Sequence, residues 1–186
     1  MLSEASQWLA DDHAALDEGL SQLRKALDAS DVAVSHARLD LFWARLAVHI
    51  RAEHLHLFPA VMNGLRDMNA DHLVAPTLKQ GRLAIRRLRA DHDFFMHGLA
   101  RAIGILRDLS KAGNEQTIVA GTSTVRDIII EIEKRLVIHN ELEESQIYRW
   151  AKTILNKQEQ ADLATLINAE LANRPPRFSP EAWSNR

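Results

Sequence analysis

The chain contains no cysteine. Disulfides, thiolate nucleophiles and iron–sulfur ligation are therefore excluded, and any bound metal has to be held by nitrogen and oxygen, which suits iron, manganese or zinc. Glycine and proline are scarce as well, at 7 and 5 in 186 residues, with three of the prolines crowded into the C-terminal tail. So few breakers predict a chain that is almost entirely helical. No apolar run approaches membrane-spanning length, and the N-terminus carries Glu4 where a signal peptide would carry a basic region. The expectation is a soluble cytoplasmic protein. Charge of one sign is missing too: 25 acids and 23 bases are intermixed for a net −2, which gives no global reason to expect nucleic acid or an anionic membrane as partner.

What the sequence does contain is 46% apolar residues laid out in helical stripes, long enough to bury one sizeable core. Ser3 opens the first segment, with Ser6 in the weaker version of a capping box. Its stripe runs Leu2, Leu9, Leu16, Leu20, Leu23 and Leu27, and His13 falls within it. A turn at Asp28 to Asp31 leads to a second helix from about Val32 to Leu65, buried at Leu39, Phe42, Leu46, His49, Glu53, Leu57 and Val61, with Pro59 expected to kink it. Arg66 to Ala75 reads as a loop, and Pro76 as the first residue of a third helix ending near Lys111. Its seam is Leu78, Ile85, Leu88, His92, Phe95, Leu99, Ile103 and Leu106. Gly113 and Asn114 end it, and a fourth helix follows to about Trp150, burying Val125, Ile128, Ile132, Leu136, His139, Glu143, Ile147 and Trp150. A shorter helix, about Lys157 to Ala172, precedes a tail carrying Phe178 and Trp183. The predicted fold is all-α, an up-down-up-down four-helix bundle over residues 1–155, followed by a C-terminal helix and extended tail over 156–186 that could support a homodimer.

The polar residues inside these stripes carry the chemistry. His49-x-x-x-Glu53 has an echo at His139-x-x-x-Glu143, and residues at i and i+4 project from one helical face, so each pair offers a nitrogen and an oxygen to a shared point. The spacing alone says little, since His13/Asp17 and His36/Asp40 share it. Phase discriminates. His49, Glu53, His139 and Glu143 sit in mid-stripe, whereas Asp17 lies at an edge, behind the site or facing solvent, and His36/Asp40 is less central. His56 is near the seam, more in the manner of a hydrogen-bonded interior histidine than a spare ligand. His54 and His97 point outward, and Glu141 and Glu144 are off the stripe. Arg82, Arg86, Arg87 and Arg89 read as a solvated face paired with acids rather than an anion site.

Measured from the connecting turns, His13, His49, His92 and His139 fall at one level of the bundle to within about a helical turn. Four imidazoles and two carboxylates buried without a cation would each cost several kcal/mol. A metal pair bridged by Glu53 and Glu143 is the simplest compensation.

The order His13, then His49-x-x-x-Glu53 running into Leu57, Phe58 and Pro59, then His92, then His139-x-x-x-Glu143-Glu144 resembles the hemerythrin-like HHE cation-binding domain over roughly residues 5–152. The resemblance implies a non-heme di-iron centre with Glu53 and Glu143 bridging, His13, His49, His92 and His139 as terminal ligands, and an oxo or hydroxo bridge. It departs from the oxygen-carrying members at Met96, where those have a further histidine, and at Glu143, which supplies at four residues the carboxylate that they place at five, where this chain has Glu144. A simple reversible oxygen carrier is therefore disfavoured. The expected function is binding of, or reaction with, oxygen, nitric oxide or peroxide in sensing or stress protection. The alternatives are iron storage or delivery, including repair of iron–sulfur centres, and a metal-free helical scaffold. No nucleophile–base pair or phosphate loop is legible.

Overall fold

The computed structural model describes residues 3–67 and 76–175, and every regular element among them is helical. Helix α1 (Glu4–Asp28) begins where the Ser3 side chain accepts the Ser6 N–H, and α2 (Val32–Ala52) where Asp31 accepts the Val34 N–H. Helix α2 continues through a π-helical turn (Glu53–Leu57) into α3 (Phe58–Asp67). Helix α4 (Leu78–Leu109) starts from a capping box of Thr77 and Gln80, so Pro76 stands just ahead of the cap and not at the first helical position. Helix α5 (Glu115–Leu142), capped by Asn114, passes through a second π turn (Glu143–Ile147) into α6 (Tyr148–Ile154). Asn156 and Glu159 form the capping box of α7 (Lys157–Ala172). Leu2, the segment after Asp67, and Phe178 and Trp183 with the dimer contact ascribed to their tail lie outside the described residues.

Helices α1, α2, α4 and α5 form a ring in which α1 packs on α2 and α5, and α4 on α2 and α5. Their direction can be read from the core, which is split in two. One apolar cluster holds Leu9 of α1, Ala52 of α2, Leu88 of α4 and Ile147 beyond α5. The other holds Leu16, Leu46, Phe95 and Leu136 of the same four helices. Helices α1 and α4 therefore run from the first cluster to the second, and α2 and α5 run back, which is the up-down-up-down order. Between the clusters, every helix of the ring carries a polar residue where its apolar stripe is interrupted.

The two π turns sit at that interruption. In each, a backbone N–H reaches five residues back, Phe58 to Glu53 O and Tyr148 to Glu143 O, which inserts one extra residue into the helix. Proline is not required for such a turn, because the second forms without one. The insertion shifts the phase of everything beyond it. On α6 the buried positions are accordingly Tyr148 and Ala151, while the expected Trp150 is only half-buried. On α5 Ile129 takes the core position that periodicity assigned to Ile128, and on α4 Ala102 is buried where Ile103 was expected.

Helix α7 lies across α1 and α2, and its Leu163, Ala164 and Ile167 join the first apolar cluster. It closes that end of the bundle over Leu9, Leu57 and Phe58. Gly81 lets α4 approach α3: a Cβ there would stand 2.5 Å from Leu65 Cδ1. The Ile167→Ala variant should lose about 2–5 kcal/mol of stability in urea unfolding, whereas Leu166→Ala, on the exposed face of α7, should stay within about 0.5 kcal/mol of the parent. Equal small losses would mean that α7 does not contribute to the core.

Candidate metal centre

The structure brings all six residues predicted from the sequence into the layer between the two clusters, each no more than 4% exposed. His13 comes from α1, His49 from α2, His92 from α4 and His139 from α5, while Glu53 and Glu143 are the first residues of the two π turns. They form two groups that share both carboxylates: His13, His49, Glu53 and Glu143, and Glu53, His92, His139 and Glu143, with donor atoms within 4.8 Å of one another in each.

In the first group the Nε2 atoms of His13 and His49 are 3.2 Å apart, His49 Nε2 lies 3.2 Å from Glu53 Oε1, and His13 Nε2 lies 3.3 Å from Glu143 Oε2. In the second the Nε2 atoms of His92 and His139 are 3.1 Å apart, with His92 Nε2 at 3.2 Å from Glu53 Oε2 and His139 Nε2 at 3.3 Å from Glu143 Oε1. Each carboxylate thus sends one oxygen to either group. These separations match the edge of an octahedron around one ion, since ligands bonded at ~2.1–2.3 Å and set at right angles are about 3.0–3.3 Å apart. The four carboxylate oxygens accept no hydrogen bond, although imidazole nitrogens are this close. Carboxylate oxygens that converge on imidazole nitrogens without a hydrogen bond fit a shared cation, and nitrogen and oxygen donors of this kind suit iron, manganese or zinc.

The outer nitrogens of the four rings are all engaged. His49 Nδ1 is 3.1 Å from Asp12 Oδ2, and His139 Nδ1 is 3.4 Å from Asp91 Oδ2. Arg45 and Arg135 hold the other oxygen of those aspartates, at 2.7 and 2.6 Å through Nε. His13 Nδ1 meets Glu144 Oε1 at 3.0 Å, and His92 Nδ1 meets His54 Nε2 at 2.9 Å. Such partners hold the rings so that Nε2 faces inward.

These contacts correct the reading of His54 and Glu144, which helical phase placed away from the site. Both immediately follow a shared glutamate, at the start of a π turn, where the wider turn rotates each residue less than an α-helix does. Both also reach sideways to the outer nitrogen of a ring on the neighbouring helix, a contact that the central stripe does not describe. His56 lies apart, with Nε2 3.7 Å from Glu170 of α7. Asp17 is exposed, His97 bonds its own helix at Asp93 O, and Met96 receives the Trp43 indole N–H.

Sequence reasoning missed Asp12, Asp91, Arg45, Arg135 and Tyr148, although a signal for most of them was present. The repeat is longer than His-x-x-x-Glu. It reads Asp12-His13 with Arg45-x-x-x-His49-x-x-x-Glu53, and again Asp91-His92 with Arg135-x-x-x-His139-x-x-x-Glu143. In each half the aspartate before one histidine bonds the histidine of the next helix.

The halves differ at two places. Five residues after the shared glutamate, Tyr148 stacks on His13 with its hydroxyl 3.4 Å from His13 Nε2, whereas Phe58 stacks on His92 and offers no polar atom. One residue after it stand Glu144 in one half and His54 in the other.

Burial opposes charge on His49, but Glu53 and Asp12 outweigh it and push the imidazole up to about 10. Burial would raise Glu53, yet His49 and His92 hold it well below the ordinary carboxylate value. His139 is raised against its burial by Glu143, Glu53 and Asp91. Burial, reinforced by Glu143 and Glu53, keeps the Tyr148 phenol protonated. For His49 the raised value means stability present in full below 6.5 and lost as pH climbs toward about 10. For Glu53 the depressed value means stability present above 4.5 and lost on acidification. Chelator-treated protein should therefore show its highest urea midpoint between these two reference values and a falling midpoint on the alkaline side. A midpoint that rises steadily from pH 6.5 to 9 would contradict an imidazolium at His49.

A family model described as the hemerythrin HHE cation binding domain matches residues 4–151. No curated protein and no solved structure matches the chain. The matched span holds both halves of the repeat and all six residues of the buried layer, and the chain belongs to the hemerythrin HHE cation-binding family.

Proposed function

We propose that the layer holds two iron ions, one in each group of donors, and that the protein binds or reacts with oxygen, nitric oxide or peroxide in sensing or stress protection. The observation that carries this reading is the shared pair of glutamates: each group has two imidazole nitrogens and two carboxylate oxygens. Four protein donors leave about two positions of an octahedral ion for small ligands. Bound iron would supply redox chemistry and Lewis acidity at those positions.

The chain's own residues define what can reach them. Leu46, Leu88, Phe95 and Leu136 flank the layer and are at most 2% exposed, so the surroundings favour a neutral diatomic over a charged organic substrate. The Tyr148 hydroxyl is a protonated donor on the His13/His49 side, where it can hydrogen-bond a small polar ligand. Phe58 offers nothing comparable on the other side. Asp12 and Asp91 hold His49 and His139 by their outer nitrogens, which orients the rings and raises their basicity. Storage or delivery is less well supported, because both glutamates are wholly buried and release would require the layer to open. A metal-free scaffold would leave four buried carboxylate oxygens without hydrogen bonds.

Aerobic purification followed by metal analysis should give about two irons per chain. His49→Ala or Glu143→Ala should lose metal, and His97→Ala should not. Asp12→Ala and Asp91→Ala should each weaken retention against a chelator by roughly 10–100-fold. The reduced protein should react with oxygen or bind nitric oxide, and azide should alter the near-ultraviolet bands of the oxidised form. Tyr148→Phe should keep the metal content and change the azide response. A reduced protein inert to both gases, with an oxidised spectrum indifferent to azide, would exclude open coordination positions and return the storage reading to first place.

A further inference from the structure

Along the outside of the bundle, α3 and α4 enclose a groove of about 490 Å³ that has no part in the metal layer. Four arginines line it: Arg66 from α3, and Arg82, Arg86 and Arg89 from α4. The three on α4 are spaced i, i+4 and i+7, so they share one face and spread their charge over about 10 Å. Among the described residues no aspartate or glutamate lines the groove. The expectation that Arg82, Arg86, Arg87 and Arg89 pair with acids does not hold at the groove: among the described residues Arg82, Arg86 and Arg89 form no ion pair, and Arg66 donates to Asn63 Oδ1. Elsewhere in the chain arginine is commonly neutralised, as Arg24 is by Glu133, Arg45 by Asp12, Arg126 by Asp28 and Arg135 by Asp91.

The floor of the groove is apolar. Phe58, Pro59, Met62 and Ile85 form it, and the Arg89 guanidinium stands 6.0 Å over the Phe58 ring, which holds that cation above the floor. A groove of this size with an apolar floor and a row of cationic donors along its wall can seat a small molecule. Concentrated guanidinium charge without counter-charge selects an anion, because arginine presents paired N–H donors that match phosphate oxygens. The spread of the α4 arginines selects further: a single phosphate would meet one end of the row, and linked phosphates would meet its length.

We propose that the groove between α3 and α4 binds a small organic molecule carrying two or more linked phosphates, with its phosphates on Arg82, Arg86 and Arg89 and its apolar body on Phe58 and Met62. The site does not depend on the metal reading. Phe58 belongs to both, since it also stacks on His92 and packs against His54, so an occupied groove touches the wall of the metal layer.

The test is calorimetric titration of the full-length purified protein at low salt with ATP, inorganic pyrophosphate and inorganic phosphate. ATP and pyrophosphate should bind saturably, with phosphate weaker by roughly tenfold or more. The double variant Arg82→Ala/Arg86→Ala, on an exposed helical face where alanine favours the fold, should lose affinity by a similar factor. Arg101→Ala/Arg107→Ala removes the same charge elsewhere on α4 and should change nothing. Undiminished binding in the first variant would overturn the proposal by placing the anion elsewhere, the metal included, as would equal losses in both variants. Absence of saturable binding of ATP and pyrophosphate at millimolar concentration would overturn it as well. If an acidic peptide such as polyglutamate binds where those probes do not, the groove is a docking face for a protein segment and the small-molecule assignment is wrong.

Discussion

Two carboxylates without hydrogen bonds, Glu53 and Glu143, sit at the centre of an otherwise apolar bundle, and the rest of the structure follows from them. A buried carboxylate must be met by positive charge or be lost as a charge. Each glutamate is flanked by two imidazoles from different helices, so meeting Glu53 requires α2 and α4 to be in place together, and meeting Glu143 requires α1 and α5. Packing and electrostatics therefore specify the same arrangement. Asp12 and Asp91 extend the alternation of charge outward and end at Arg45 and Arg135, which return it to solvent.

The two halves of the layer are near-copies, and the deviations from copy are chemical. The residue after the shared glutamate is Glu144 in one half and His54 in the other, and each holds the outer nitrogen of a histidine. A carboxylate accepts that N–H as an anion, whereas an imidazole accepts it as a neutral base. Burial together with the nearby His92 and Arg89 lowers the pKa of His54, which favours the neutral form that this contact requires. Tyr148 against Phe58 adds a second difference on the same axis. The side with the carboxylate also has the hydroxyl, so two groups with equal donor sets have unequal surroundings.

Much of this was legible in the sequence, because its main devices are local and periodic. Leucines at helical spacing mark the four buried faces, and a polar residue interrupting each face at a matching distance from the turns marks the layer, so His13, His49, Glu53, His92, His139 and Glu143 could all be assigned. What periodicity could not supply was the π turns. Each adds one residue to a turn and so changes the phase, which is why Tyr148 replaced Trp150 in the core and why His54 and Glu144 were placed outside. Asp12 and Asp91 were overlooked for a different reason. Their partners lie on another helix, and only the alignment of the two halves, Asp-His against Arg-x-x-x-His-x-x-x-Glu, exposes the pairing. The arginines on α4 were legible as a row, and the absence of partners for three of them was not, since pairing depends on what α3 presents.

The interruption of the core by a polar layer also acts as a ruler. Stripes of leucine repeating at near-equal intervals are tolerant of sliding, because a helix displaced by one turn meets another leucine in place of the first. Here a one-turn slip of any helix in the ring would press His49, His92 or a glutamate against Leu46, Leu88 or Phe95 and leave its partners unmatched. The layer thus penalises every alignment but one. A chain whose apolar faces are nearly interchangeable along their length acquires a single vertical register from the six residues that contribute least to hydrophobic burial.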